Sequence, residues 1–153
     1  MSLESVRNKS NLHVYNIFTG IVKCVEYMRD YKDEIKEHFK LMNSIEASKQ
    51  FKTISVQLPR SMGNSYMADL LLDYFNDSIL LLPNSSHLVN RISKNKFRMS
   101  TLHNIRTGAH RISTNPDKTV VIVDPESFYR VEEIHEIYDL FNAHGVSCYI
   151  FLG

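Results

Sequence analysis

Residues 57–66 read QLPRSMGNSY and lie between a β-branched apolar run and a run with helical apolar spacing. A phosphate group is held where backbone N–H groups converge at the start of a helix, because the dipole there resembles about half a positive charge. A glycine lets the chain approach the phosphate closely, and a hydroxyl in the first helical turn reaches a magnesium ion. Gly63 and Ser65 supply those two parts, and Arg60 adds a cation inside the loop. Asn64 stands where such a loop carries its lysine, and Leu58 where it carries a leading glycine. The same stretch also reads as an ordinary strand-to-helix turn.

A second group of residues answers the first. The run TVVIVD (119–124) has the composition of a buried strand, with Asp124 at its carboxyl end. In open parallel sheets ligands bind at that edge, and an aspartate there holds the magnesium that bridges phosphates. Glu126 follows two positions later, placed to orient a water as a base. Asp124-Pro125-Glu126 reads equally as a helix N-cap with an acid in the first turn.

These residues need strands that end at one edge and helices that begin there. Residues 11–29 have apolar spacing of one helix, and 31–49 read as a second. TISVQL (53–58), SILLLP (78–83), TVVIVD and VSCYIFLG (146–153) read as strands, the first three as central ones. Residues 65–75, 85–95 and 126–145 read as helices, the last closed by Gly145, and 98–105 as a further strand. Helices alternating with unbroken apolar strands predict an α/β fold in three layers, a mainly parallel sheet flanked by helices. A single domain over 1–153 is expected, with a helical N-terminal extension over 1–50 and an α/β core over 51–153.

Composition narrows the class. The chain has 153 residues, 43% apolar and 23% charged, enough for one domain with a core. No apolar run approaches the roughly 20 residues that span a bilayer, and the start of the chain has no apolar core of a signal peptide. Cys24 and Cys148, far apart, fit a reducing cytoplasm and give no zinc spacing. Between His87 and Lys118 seven cations (Arg91, Lys94, Lys96, Arg98, Arg106, Arg111, Lys118) face Asp117 alone, and the segment 119–144 is acidic in turn. That contrast fits a DNA contact or two solvated faces that attract each other.

The whole pattern resembles the ATPase domain of the large terminase subunits of tailed phages. In that family the phosphate loop begins with an arginine and runs Arg-x-x-Gly-Lys-Ser/Thr; Arg60, Gly63 and Ser65 match, and Asn64 departs. TVVIVDPESF (119–128) is similar to the stretch with adjacent Asp-Glu, with Pro125 intervening before Glu126. Tyr31-Lys32 stands where the family has an adenine-contacting Tyr-Gln. The resemblance implies a P-loop fold that takes ATP and magnesium. Arg60, Ser61, Met62, Gly63, Asn64 and Ser65 would hold the nucleotide, Ser65 and Asp124 the metal, and Arg60 and Glu126 would act in catalysis. The chain stops after a strand, so no nuclease domain is expected. The expected role is weak nucleotide binding, or binding of DNA or of a phage or host protein, as a monomer or an oligomer. The alternatives are a small active ATPase that uses Arg60 in place of the lysine, and a pure binding module on the same fold.

Overall fold

The computed structural model describes residues 2–9, 12–58, 63–110 and 113–153. Its elements in chain order are α1 (Leu3–Lys9), α2 (Leu12–Asp30), α3 (Lys32–Leu41), α4 (Ser44–Phe51), β1 (Thr53–Val56), α5 (Asn64–Tyr74), β2 (Ser78–Leu82), α6 (Ser85–Asn90), β3 (Met99–Thr101), α7 (Leu102–Arg106), β4 (Val120–Val123), α8 (Val131–Asn142) and β5 (Cys148–Leu152). The five strands form one sheet in the order β1-β5-β4-β2-β3, and every pair is parallel. This is the expected α/β architecture, with helices on both faces.

Strands β2, β4 and β5 are buried along their whole length, which is why they read as unbroken apolar runs. Alternate residues feed two cores. Leu80, Leu82, Val120, Ile122, Ile150 and Leu152 pack under α1, α2 and α5, through Val6, Phe18, Val22, Met67 and Leu71. Ile79, Leu81, Val121, Val123, Tyr149 and Phe151 pack under α7 and α8, through Leu102, Ile137, Tyr138 and Phe141.

That division follows from the winding. From β1 to β2 to β3 the chain crosses the sheet one way, with α5 and α6 on the first face. From β3 to β4 to β5 it returns, with α7 and α8 on the other. Crossovers keep one hand, so a reversal of direction changes the face. The carboxyl ends of neighbouring β2 and β4 therefore flank a topological switch point, where open α/β sheets form a crevice.

Several expected elements differ in place or length. TISVQL is an edge strand rather than a central one: β1 pairs only with β5, and its residues are half-buried or exposed. The expected helix 31–49 is broken at Asn43, whose side chain accepts the N–H of Ile45 (2.9 Å) and starts α4 afresh. The expected helix 85–95 ends at Asn90, and Arg91 is extended (φ −76°, ψ 128°). Beyond it Ser93 Oγ accepts the N–H of Asn95 (3.1 Å), a local bond that competes with helix. The expected strand 98–105 is strand only as far as Thr101, whose hydroxyl accepts the N–H of Asn104 (3.1 Å) and caps α7. Leu102 and Ile105 are inward at helical spacing, not alternation. The expected helix 126–145 opens with a separate 3-10 turn, Glu126–Phe128, and α8 starts at Val131. Gly145 lies past its end at φ 66°, in the left-handed region.

Candidate functional site

The loop after β1 leads to Gly63, which has φ 70° and precedes α5 directly. An L side chain there would be strained by the backbone conformation, so the glycine is required by the turn itself. Of the residues assigned to the loop, Arg60, Ser61 and Met62 lie outside the described residues. Asn64 opens α5, and Ser65 occupies its first turn.

Asp124 follows β4 directly, its backbone N–H donating to Leu81 O (3.1 Å) on β2. Its peptide bond to Pro125 is cis. The carboxylate is not an N-cap: Pro125 holds that position for the 3-10 turn and Arg130 holds it for α8. The N-cap reading of Asp124 is thereby overturned, because α8 begins too late in the chain to be reached. Asp124 is only 3% exposed, and its charge is answered from elsewhere.

The answering group is Arg91, which closes the turn after α6. Its Nη1 donates to Ser65 Oγ (3.0 Å) and lies 3.6 Å from Asp124 Oδ2. Its Nη2 donates to Ser65 O (2.9 Å) and lies 3.5 Å from Asp69 Oδ1. That last contact is charge attraction without a hydrogen bond, since Asp69 Oδ1 has no hydrogen-bond partner among the described residues. One guanidinium thus joins the first turn of α5, the second turn of α5 and the end of β4. Its side chain is 13% exposed, and its Nε is buried without a partner among the described residues.

The electrostatics follow from that count of charges. Burial pushes the Asp124 carboxyl up from its ordinary range; Arg91 opposes the shift, and the Asp69 carboxylate adds to it. Burial likewise pushes Asp69 up, again against the pull of Arg91. One cation serves two carboxylates, and desolvation wins at both. His87 also bears on Asp124, favouring its charged form. The His87 ring lies 2.8 Å by Nδ1 from Asn84 Oδ1 and packs edge-on to Phe128. Ser86, His87, Asn90 and Arg91 line a cavity of about 280 Å³ beside this cluster.

The structure therefore brings Ser65 and Asp124 onto one cation, as their assignment as metal ligands requires of them, but the cation is a side chain. Magnesium takes oxygen ligands at about 2.0–2.1 Å in a near-octahedral shell. With Arg91 bonded to Ser65 Oγ and set against Asp124, these residues do not fit the ion. Glu126 sits half-buried in the 3-10 turn and makes no ion pair among the described residues. Arg91 and Asp69 were not assigned to the site from sequence. Arg91 was visible only as one cation of the 87–118 segment.

Four more cations of that segment are engaged within the chain. Lys94 pairs with Asp73 (3.1 Å), and Arg106 grips Glu136 with two nitrogens (2.6 and 2.8 Å). Arg98 donates to Phe75 O, Asn76 O, Ser78 Oγ and Asn95 Oδ1. Lys96 Nζ reaches Val89 O, and Arg111 lies outside the described residues. Larger cavities open at the opposite, amino edge of the sheet. One of about 830 Å³ is lined by Arg29, Lys32, Phe75 and Asp77, among others, and one of about 460 Å³ by Asp77, Arg98 and His110. Size alone does not select them: Asp77 is consumed by bonds to Asn115 and Thr119 (both 2.6 Å), and neither cavity touches the switch point. No described helix is long and apolar enough to cross a membrane.

No protein-family model, curated protein or solved structure matches this chain.

Proposed function

We propose that this chain is a phosphate-binding domain similar to the terminase ATPase domain, with a degenerate site that binds nucleotide weakly and turns it over very slowly or not at all. It works through a protein or DNA partner in the cytoplasm of a host cell. One observation carries the reading. Ser65 and Asp124, remote in sequence, meet at a single positive charge at the carboxyl edge of a parallel sheet, beside the start of α5. An arrangement for phosphates uses that edge and that helix end.

Weakness follows from the charges. A lysine at position 64 would reach the β- and γ-phosphates and offset charge in transfer; asparagine carries none. Arg91 contributes one positive charge where a divalent ion contributes two, and Asp69 and Asp124 already share it. A DNA contact through 87–118 would have to compete with the internal pairs of Arg91, Lys94, Arg98 and Arg106.

The test is calorimetric titration with ATP and ADP, joined to thermal unfolding. Ligand at 100 times its dissociation constant should add about 2.7 kcal/mol of stability. Asn64→Lys should strengthen ATP binding by roughly 1.5–3 kcal/mol, the value of charge-assisted hydrogen bonds. Robust hydrolysis by the wild type would favour the small ATPase that uses Arg60. An unchanged affinity in Asn64→Lys would remove the phosphate-loop assignment.

A further inference from the structure

We infer that Arg91 is a built-in cation holding the place of the divalent metal, so that the site takes a phosphate ester free of metal and excludes its magnesium complex. The ligand class rests on the phosphate-binding reading above; the exclusion of metal does not.

Three observations converge on it. First, the same atom, Arg91 Nη1, contacts both of the oxygens that a bridging metal would need, Ser65 Oγ and Asp124 Oδ2. Second, the guanidinium is held in place by the chain. Nη2 is fixed on Ser65 O, the side chain is 87% covered, and α6 ends at Asn90 so that Arg91 turns back toward α5. A metal could enter only after this fork left Ser65 and both carboxylates. Third, the donor set without Arg91 suits a hard divalent ion. Asp69 and Asp124 supply carboxylate oxygens, Ser65 a hydroxyl, and such ions take oxygen ligands of this kind. Arg91 is thus the occupant of a site whose walls would otherwise attract a metal.

A guanidinium differs from the ion it replaces. It is charged at every accessible pH, directional, and cannot be removed by chelation. Arg91 lines the cavity of about 280 Å³ beside the cluster, and planar forks of this type recognise phosphate oxygens by charge-assisted hydrogen bonds. Binding of a phosphate ester is therefore expected to proceed in chelator. Magnesium should weaken it by sequestering the free ester in a complex that the site rejects.

The deciding experiment needs no nucleotide. Manganese(II) is titrated into the full chain and followed by its electron paramagnetic resonance signal, in wild type, Asp124→Asn, Arg91→Gln, Arg91→Ala and Arg91→Gln/Asp124→Asn. Wild type should leave the ion free. Arg91→Gln and Arg91→Ala should bind one ion at least about tenfold more tightly than wild type, and the added Asp124→Asn should abolish the gain. Circular dichroism establishes that each variant is folded. Binding of manganese by wild type that Asp124→Asn removes would overturn the inference, and that measurement stands even if both Arg91 variants fail to fold. Folded Arg91 variants that bind no manganese would overturn it as well, and Arg91 would then be only a brace between α5 and β4. Titration of wild type with ATP in excess chelator and then in excess magnesium addresses the ligand. Tighter binding in chelator supports the metal-free ester. Tighter binding with magnesium overturns it. Absence of ATP binding in both ends the phosphate reading and with it the ligand class, while the manganese result still decides who occupies the metal's place.

Discussion

At the scale of single residues, the site is a buried carboxylate with less positive charge around it than it needs. Asp124 lies among β-strand ends, with Arg91 at 3.6 Å and Asp69 competing for the same guanidinium. Its raised pKa has a consequence for stability. An acid whose pKa is higher folded than unfolded binds its proton more tightly in the native state. Its contribution is full below the ordinary value of 3.8 and is lost as pH rises through the folded value. Asp124→Asn removes that loss. Urea unfolding of both proteins from pH 4 toward neutrality should show wild-type stability falling relative to the variant as pH rises. A difference independent of pH would mean that Arg91 fully compensates the buried charge. Gly63, Ser65 and Asp124 were legible from sequence because each has a local mark: a glycine, then a hydroxyl, at a helix start, and an acid closing an apolar run. Arg91 has no such mark. Its role depends on where α6, packed on β2 and β3, stops and which way the chain then turns, so that Arg91 meets Ser65 and Asp124.

At the scale of elements, legibility followed burial. Strands β2, β4 and β5 are covered on both faces, so their sequences are continuous apolar runs that need no neighbour to be read. The stretch 91–106 is different. It contains three consecutive side-chain devices, Ser93 on Asn95, Arg98 on the end of α5, and Thr101 on Asn104, that set its path by hydrogen bonds rather than by periodicity. Arg98 is the central one. It donates to the carbonyls of Phe75 and Asn76, to the hydroxyl of buried Ser78 and to Asn95, fixing the α5–β2 turn from a 3-10 turn, Lys96–Arg98, that precedes β3. Arg98→Gln should therefore cost about 2 kcal/mol, as expected when charged hydrogen bonds to partly buried acceptors are lost. Lys96→Gln, at an exposed position, should change stability by no more than about 0.5 kcal/mol. Equal effects of the two in denaturant titrations would mean that the basic segment is a solvated face after all, and not a set of braces.

At the scale of the molecule, the N-terminal helices and the sheet share their cores. Val6 of α1 and Val14, Phe18, Ile21, Val22 and Val25 of α2 lie in one buried cluster with α5 and with strand residues Ile122 and Ile150. On the other face, Asn142 of α8 accepts from Ser48 of α4 (2.8 Å) and from Tyr149 of β5 (2.7 Å). The spacing of apolar residues in α2 was legible from sequence, but its target was not, because periodicity names a buried face without naming what buries it. Phe18 tests the coupling. It is fully buried and meets Tyr74 of α5 edge-on, with ring centroids 5.3 Å apart. Phe18→Ala should cost about 3–5 kcal/mol, the usual loss for a buried aromatic truncated to alanine. That is a large part of the roughly 5–15 kcal/mol that holds a native domain. Because Phe18 shares one buried cluster with α5 and the strands, the loss should be felt by α2 and by the strands together. Far-UV circular dichroism and hydrogen exchange at the amides of Val22, Ile122 and Ile150 should report one shared decrease in the free energy of opening. If Val22 exchanged freely while Ile122 and Ile150 kept their wild-type protection, α2 would be a detachable layer. The sheet that carries Asp124 would then have to be stable under α5 alone.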